Sequence, residues 1–193
     1  MATAHRYCDK CKDFHTPQAV LKAPILFLLK LPIHLLWQLC RVCQTVRYNP
    51  CKNALYNHDT VQAHITNFNY ADQTDFSTQV HQNRYDAEAM IAKGDSLYIF
   101  TKDWKTLATT VYALHKHTVQ QTAQRIDTFF VNGLITDATY VAATNTIALL
   151  GYQKGDFGMY YAFVWLFHDF KENQFFSGNK RRIELGTVID VGQ

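Results

Sequence analysis

Asp86 and Glu88 stand two residues apart in Arg-Tyr-Asp-Ala-Glu-Ala-Met (84–90). On an extended strand that spacing places both carboxylates on one face, where hard oxygens can gather for a cation such as Ca²⁺. Calcium takes roughly six to eight oxygen ligands, so two carboxylates supply only part of a site. The simpler use of these acids is to hydrogen-bond strand ends. Lys102, Asp103 and Trp104 follow the apolar run Ser-Leu-Tyr-Ile-Phe (96–100) and belong at the rim of whatever that run builds. A tryptophan set among charges either recognises a ligand or packs over a sheet edge.

Cys8-x-x-Cys11 and Cys40-x-x-Cys43 form two thiolate pairs, the arrangement a tetrahedral zinc site needs. The 28 residues between them exceed the roughly 15–20 usual for such pairs. They also hold the apolar run Ile25–Leu39, where a zinc ribbon has short polar strands. Adventitious cysteines are the simpler reading. The same apolar run is shorter than the roughly 20 residues that span a bilayer, and Lys30, Pro32 and His34 interrupt it. No transmembrane span is expected, and no secretion signal is recognisable. The reading here is a short buried or interfacial helix broken at Pro32.

Lys180-Arg181-Arg182 is the only dense basic cluster, too short for a nucleic-acid footprint. His115 and His117 alternate near a strand end and carry little weight as ligands. The chain contains no Gly-x-Ser-x-Gly, Walker loop, dinucleotide fingerprint or His-Glu-x-x-His. No catalytic constellation is legible.

The elements that must position these groups divide the chain near residue 58. All five cysteines and all four prolines lie in the first 51 residues, and all eight glycines lie from Gly94 onward. Residues 1–58 carry a charge balance of +6 and residues 59–193 one of −3, so the net +3 is a cancellation. The first segment is expected to be helical or irregular and structurally separate from residues 59–193. Its composition also fits an out-of-frame translation ahead of an in-frame gene, which the nucleotide sequence would test.

Residues 59–193 read as all-β, in short Tyr-, Phe-, Val-, Ile- and Thr-rich runs between turn residues. Predicted strands are 63–70, 86–92, 96–101, 109–114, 121–130, 135–142, 146–151, 159–167 and 181–185. An internal repeat orders them: Asp86 through Phe100 aligns with Asp137 through Leu150, at an offset of 51 falling to 50 after one deletion in the turn. Asp137 is followed by Thr139, so the acidic pair is not repeated. Four strands in roughly 40–50 residues is the unit of a β-propeller blade, which predicts blades at about 86–130 and 135–185. Asp86, Glu88 and Asp137 would then face the central channel.

Phe-x-Tyr-Ala-Asp-Gln-Thr-Asp-Phe (68–76), Gly-Asp-Ser-Leu-Tyr-Ile-Phe-Thr-Lys-Asp-Trp (94–104), Val-Asn-Gly-Leu-Ile-Thr-Asp (131–137) and Phe-Phe-Ser-Gly-Asn-Lys-Arg-Arg-Ile-Glu-Leu (175–185) carry a resemblance. Over roughly residues 60–193 the chain resembles an uncharacterised family of secreted bacterial β-propeller proteins. That family often carries a C-terminal sorting domain and is loosely akin to phytase-like and esterase-like propellers. The resemblance implies an extracellular or cell-envelope location and makes Ca²⁺ a possible ligand. It also implies that two blades of a larger ring are present. The expected function is that of a binding or scaffold propeller fragment. The alternatives are a Ca²⁺-dependent phosphoester- or ester-hydrolysing propeller and a zinc-stabilised N-terminal module. An unclosed ring exposes blade faces and favours self-association, with Tyr98, Phe100, Tyr161, Phe163 and Trp165 as candidates to line them.

Overall fold

The computed structural model describes residues 36–40, 45–49, 64–74, 76 and 81–189. Eleven strands run through them: β1 (Leu36–Cys40), β2 (Thr45–Asn49), β3 (His64–Tyr70), β4 (Asp86–Lys93), β5 (Ser96–Lys102), β6 (Ala108–His115), β7 (Gln120–Phe130), β8 (Leu134–Val141), β9 (Thr146–Lys154), β10 (Met159–His168) and β11 (Asn179–Ile189). The protein is all-β. Each of the nine strands predicted beyond residue 59 is present, with ends shifted by a few residues at most. Two meanders of consecutive antiparallel strands result, β4-β5-β6-β7 and β8-β9-β10-β11.

The segment before residue 58 departs from expectation. β1 and β2 form an antiparallel hairpin, β2 pairs with β3, and β3 pairs in parallel with β7. The first sheet therefore has seven strands in the order β1-β2-β3-β7-β6-β5-β4. It curls until its edge strands β1 and β4 approach one another. The expectation of a helical or irregular segment unrelated to the sheet is corrected for these strands. A short apolar run such as Leu-Leu-Trp-Gln-Leu fits a helix or a strand equally, and Thr-Val-Arg-Tyr-Asn offers a β-prone partner that settles it.

Both meanders carry a bulge in their first strand, and its position differs from what the sequence alignment of Asp86 with Asp137 implies. In the first, Ala87 pairs with Thr101 and Ala89 with Phe100, leaving Glu88 as a bulge. In the second, Ile135 pairs with Gly151 and Asp137 with Leu150, leaving Thr136 as the bulge. The equivalent of Asp86 is thus Leu134, and that of Ala89 is Asp137. Matching the two Asp-Ala pairs assumed a deletion in the turn, whereas the turn has grown. Gly94-Asp95, with Gly94 at φ 58°, joins β4 to β5. A 3-10 turn over Ala142–Thr144, ending on left-handed Asn145, joins β8 to β9.

One apolar core lies between the meanders. Ala89, Ile91, Tyr98, Phe100 and Val111 from the first sheet meet Ile135, Ile147, Leu149, Phe163 and Phe167 from the second. The β10–β11 loop contributes Phe170, Phe175 and Phe176, and Phe175 sets its ring edge-on to Tyr98 at 4.8 Å. A second core fills the curl of the first sheet, where Phe68 and Tyr70 of β3 cover Met90, Leu97, Ile99, Tyr112 and Leu114. Tyr112 closes this core by donating to Asp72 Oδ1 at 2.8 Å, and burial pushes its phenol well above the usual range. Tyr98, Phe100 and Phe163 are therefore buried between the sheets and Trp165 packs against them, so the uncovered surface is not theirs. Among the described residues no helix is long and apolar enough to cross a membrane.

Candidate functional site

The polar residues that the sequence singles out meet where β4 begins and β5 ends. Asp86 is paired across the ladder with Lys102, and Asp86, Lys102 and Asp103 are all buried. The Lys102 ammonium donates to Glu88 Oε2 at 3.2 Å. Trp104 Nε1 donates to Asp86 Oδ2 at 2.9 Å. Lys102 Nζ also lies 4.7 Å from the centre of the Trp104 ring and 5.1 Å from that of Tyr152 on β9. One lysine thus ties both acids' surroundings together and bridges the two sheets, its charge held by a carboxylate and by aromatic π-faces.

The β-bulge at Glu88 makes this gathering possible. It breaks the two-residue alternation expected of a regular strand and re-aims a side chain at the sheet edge. Asp86 and Glu88 converge on the Lys102–Trp104 pair instead of facing an open channel side by side. Trp104 is engaged on its ring as well. His81 lies against it at 4.1 Å between centroids, and Lys154 Nζ approaches to 5.2 Å. A ring so occupied is a packing element, not a free platform for a ligand.

Asp103 does different work. Its Oδ1 accepts the backbone N–H groups of Lys105 and Thr106 at 2.9 and 3.0 Å. Its Oδ2 accepts from the Thr106 hydroxyl at 2.6 Å and from Arg84 Nε at 3.0 Å. This is an Asx-type turn that shapes the β5–β6 connection. Four donors on one buried carboxylate make it a structural anchor.

Asp137 is not brought to the cluster. It sits on the second sheet's outer face opposite Leu150, and its Oδ1 accepts the N–H of Ala138 at 2.8 Å. Desolvation by the surrounding apolar strands raises its carboxyl above the usual range, with the Ala138 hydrogen bond pulling the other way. The folded protein therefore holds this proton where the unfolded chain has lost it, so stability falls as pH rises from the ordinary carboxylate range through the raised value. Asp137→Asn is expected to flatten the decline of the melting temperature as pH rises above the ordinary carboxylate range. An unchanged slope would show that Asp137 is as well solvated when folded as when unfolded.

The cluster does not fit calcium. The Glu88 carboxylate faces an ammonium at 3.2 Å, where a cation ligand would need its oxygen. Among the described residues no three His, Cys, Asp or Glu side chains group as a metal site. Of the proposed zinc ligands, Cys40 ends β1, and Cys8, Cys11 and Cys43 lie outside the described residues. Sequence reasoning had Lys102 beside Asp103 and Trp104 at the rim and missed His81 and Lys154, for which the sequence carries no local signal. It also missed the phenylalanines of the β10–β11 loop, whose signal was Asp-Phe-Lys-Glu-Asn-Gln-Phe-Phe, three large apolar side chains in a polar loop. Compared with protein-family models and with curated proteins, the chain matches none.

Proposed function

We propose that this chain is a non-catalytic binding or scaffold module of the β-propeller type, its two meanders being consecutive blades. The family resemblance over residues 60–193 implies a module that works outside the cell or in its envelope. The observation that carries the reading is the head-to-tail use of sheet faces. Leu97 and Ile99 of β5 face the curl of the first sheet, and their equivalents Ile147 and Leu149 on β9 face the first sheet itself. Tyr98 and Phe100 receive the second sheet, and their equivalents Ala148 and Leu150 point to the second sheet's far side.

That far side is apolar and uncovered by any described residue. Its cross-strand rows run Asp137, Leu150, Val164, Ile183 and Thr139, Ala148, Leu166, Arg181. Its occupant, in this reading, is the same face of a second copy. Among the described residues the other face of suitable build, around Leu97 and Ile99, is closed in each chain by Phe68 and Tyr70. A twofold axis along the strands lays β8 of one copy over β11 of the other, bringing Asp137 toward Arg181. Such an isologous interface is the commonest route to a dimer. Val164→Lys places a charge at its centre and is expected to convert a micromolar dimer into a monomer in sedimentation equilibrium, with no change in the circular dichroism spectrum. A wild-type chain that stays monomeric across the micromolar range would overturn the scaffold reading.

A further inference from the structure

We infer that the groove at the outer end of β9, β10 and β11 is a binding site for a neutral saccharide. Its Gln153 stands between Tyr152 and Lys154, whose side chains reach the Lys102–Trp104 cluster, and none of its lining residues belongs to the uncovered rows; it stands or falls independently of how the sheets associate. Gln153, Tyr161, Glu184, Gly186 and Thr187 line an open cavity of about 470 Å³. That is within the range of small-ligand sites, roughly 300–1,000 Å³.

The groove's polar groups are held in place from behind. Arg182, with its side chain largely buried, donates from Nη1 to the carbonyls of Val131 at 2.7 Å and Asn132 at 3.1 Å. Its guanidinium carbon lies 3.9 Å from the centre of the Phe163 ring. With the fork so fixed, Nε donates to Glu184 Oε1 at 2.6 Å and Nη2 to Gln153 Oε1 at 3.4 Å. Anchoring each group by one oxygen orients the rest of it. The second oxygen of Glu184 is an aimed acceptor and the Gln153 amide nitrogen an aimed donor.

The apolar part of the groove is equally specific. Tyr161 is 38% exposed and lines the groove wall. Its ring rests on Gly155, where an added Cβ would lie 3.1 Å from Cδ2 and 3.2 Å from Cζ. Gly186 takes φ +107° on the floor, with open space where a side chain would stand. Glycine alone adopts that conformation freely, and its lack of a side chain keeps the floor clear.

An aromatic face beside one oriented acceptor, one oriented donor and the Thr187 hydroxyl matches a pyranose. Its C–H face packs on a ring, and each of its hydroxyls both donates and accepts. Phosphate or carboxylate ligands are disfavoured by the Glu184 carboxylate at the mouth. A planar heteroaromatic ring would leave its second face in water, because the groove offers a single aromatic wall.

The test uses the full-length chain with four probes, maltohexaose, cellohexaose, xylohexaose and mannohexaose, followed by saturation-transfer NMR and calorimetry. At least one is expected to receive saturation from the protein. Tyr161→Ala and Glu184→Gln are each expected to weaken that binding by about tenfold or more, a change of the size a lost contact or hydrogen bond produces. Tyr161→Phe keeps the ring face and should bind within a few-fold of wild type. Thermal melts of all three variants check folding, which exposed positions leave intact. Saturation transfer to none of the four sugars would overturn the proposal, as would binding that Tyr161→Ala leaves unchanged in a folded variant.

Discussion

Replacing Phe163 by alanine is expected to destabilise the protein by about 3–5 kcal/mol, the range for deleting a buried aromatic ring. Phe163 has no exposed surface and stands at the centre of the core between the sheets. Arg182 stacks on its ring, and the backbone at Gly133 and Gly151 approaches its distal edge at Cε1, Cζ and Cε2. Those two glycines leave the space that the ring fills, so alanine at 163 opens a cavity that rigid backbone cannot collapse into. The complementary change argues the same point in reverse. A Cβ at Gly151 would lie 2.7 Å from Phe163 Cζ and 2.8 Å from the Leu134 carbonyl oxygen. Gly151→Ala should therefore cost about 1–3 kcal/mol by overpacking. In the Phe163→Ala background the ring clash disappears and only the carbonyl contact remains, so the pair should be less damaging than the sum of the singles. Urea unfolding of the four proteins measures this. A Phe163→Ala midpoint within error of wild type would mean that the two sheets do not share one core.

Much of the second sheet and of its neighbour was legible because the runs themselves are unambiguous. Asp-Ser-Leu-Tyr-Ile-Phe-Thr and Tyr-Tyr-Ala-Phe-Val-Trp-Leu-Phe are dense in strand formers and bounded by Gly, Asp or Asn. Both carry apolar side chains on both faces, β5 between the two cores and β10 between the shared core and the apolar far side. Which alternate face meets the other sheet was not legible. Tyr98 and Tyr161 are both tyrosines on apolar strands, yet one is buried at 3% exposure and the other stands at 38%. Tyr98 lies in the shared core against Phe175, whereas Tyr161 stands near the start of β10 outside it, a tertiary fact with no local signal.

The repeat register failed for a related reason. Asp-Ala recurs at 86–87 and 137–138, and identity at two positions outweighed the pattern of bulges, which a one-dimensional alignment does not contain. Strand pairing restores it. Glu88 and Thr136 are the bulged residues of equivalent strands, so an acidic side chain in one repeat corresponds to a hydroxyl in the other. The same correspondence sets Lys102 against Tyr152. The first meander supplies a charge and the second supplies the ring over which that charge sits. The two meanders thus supply complementary halves of a single contact.

Lys102→Met is expected to cost about 3 kcal/mol, the lower end of what removing one member of a buried ion pair costs. The lysine side chain is 6% exposed and that of Glu88 17%, so neither charge is well hydrated where it stands. Methionine retains the stem and its packing against Trp104 and Tyr152 but withdraws the ammonium from Glu88. The loss then falls on the carboxylate, which keeps its burial without its cation. Combining Lys102→Met with Glu88→Leu removes both charges and restores an apolar contact, so the double variant should lie within about 1 kcal/mol of wild type. The resulting coupling between the two positions, read by urea unfolding in a double-mutant cycle, separates two roles for the cluster. A structural clamp gives a large coupling in stability. If Lys102→Met alone proved neutral, the ammonium would be solvated in the folded protein, and the cluster would be an open charged rim instead of a buried link between the sheets.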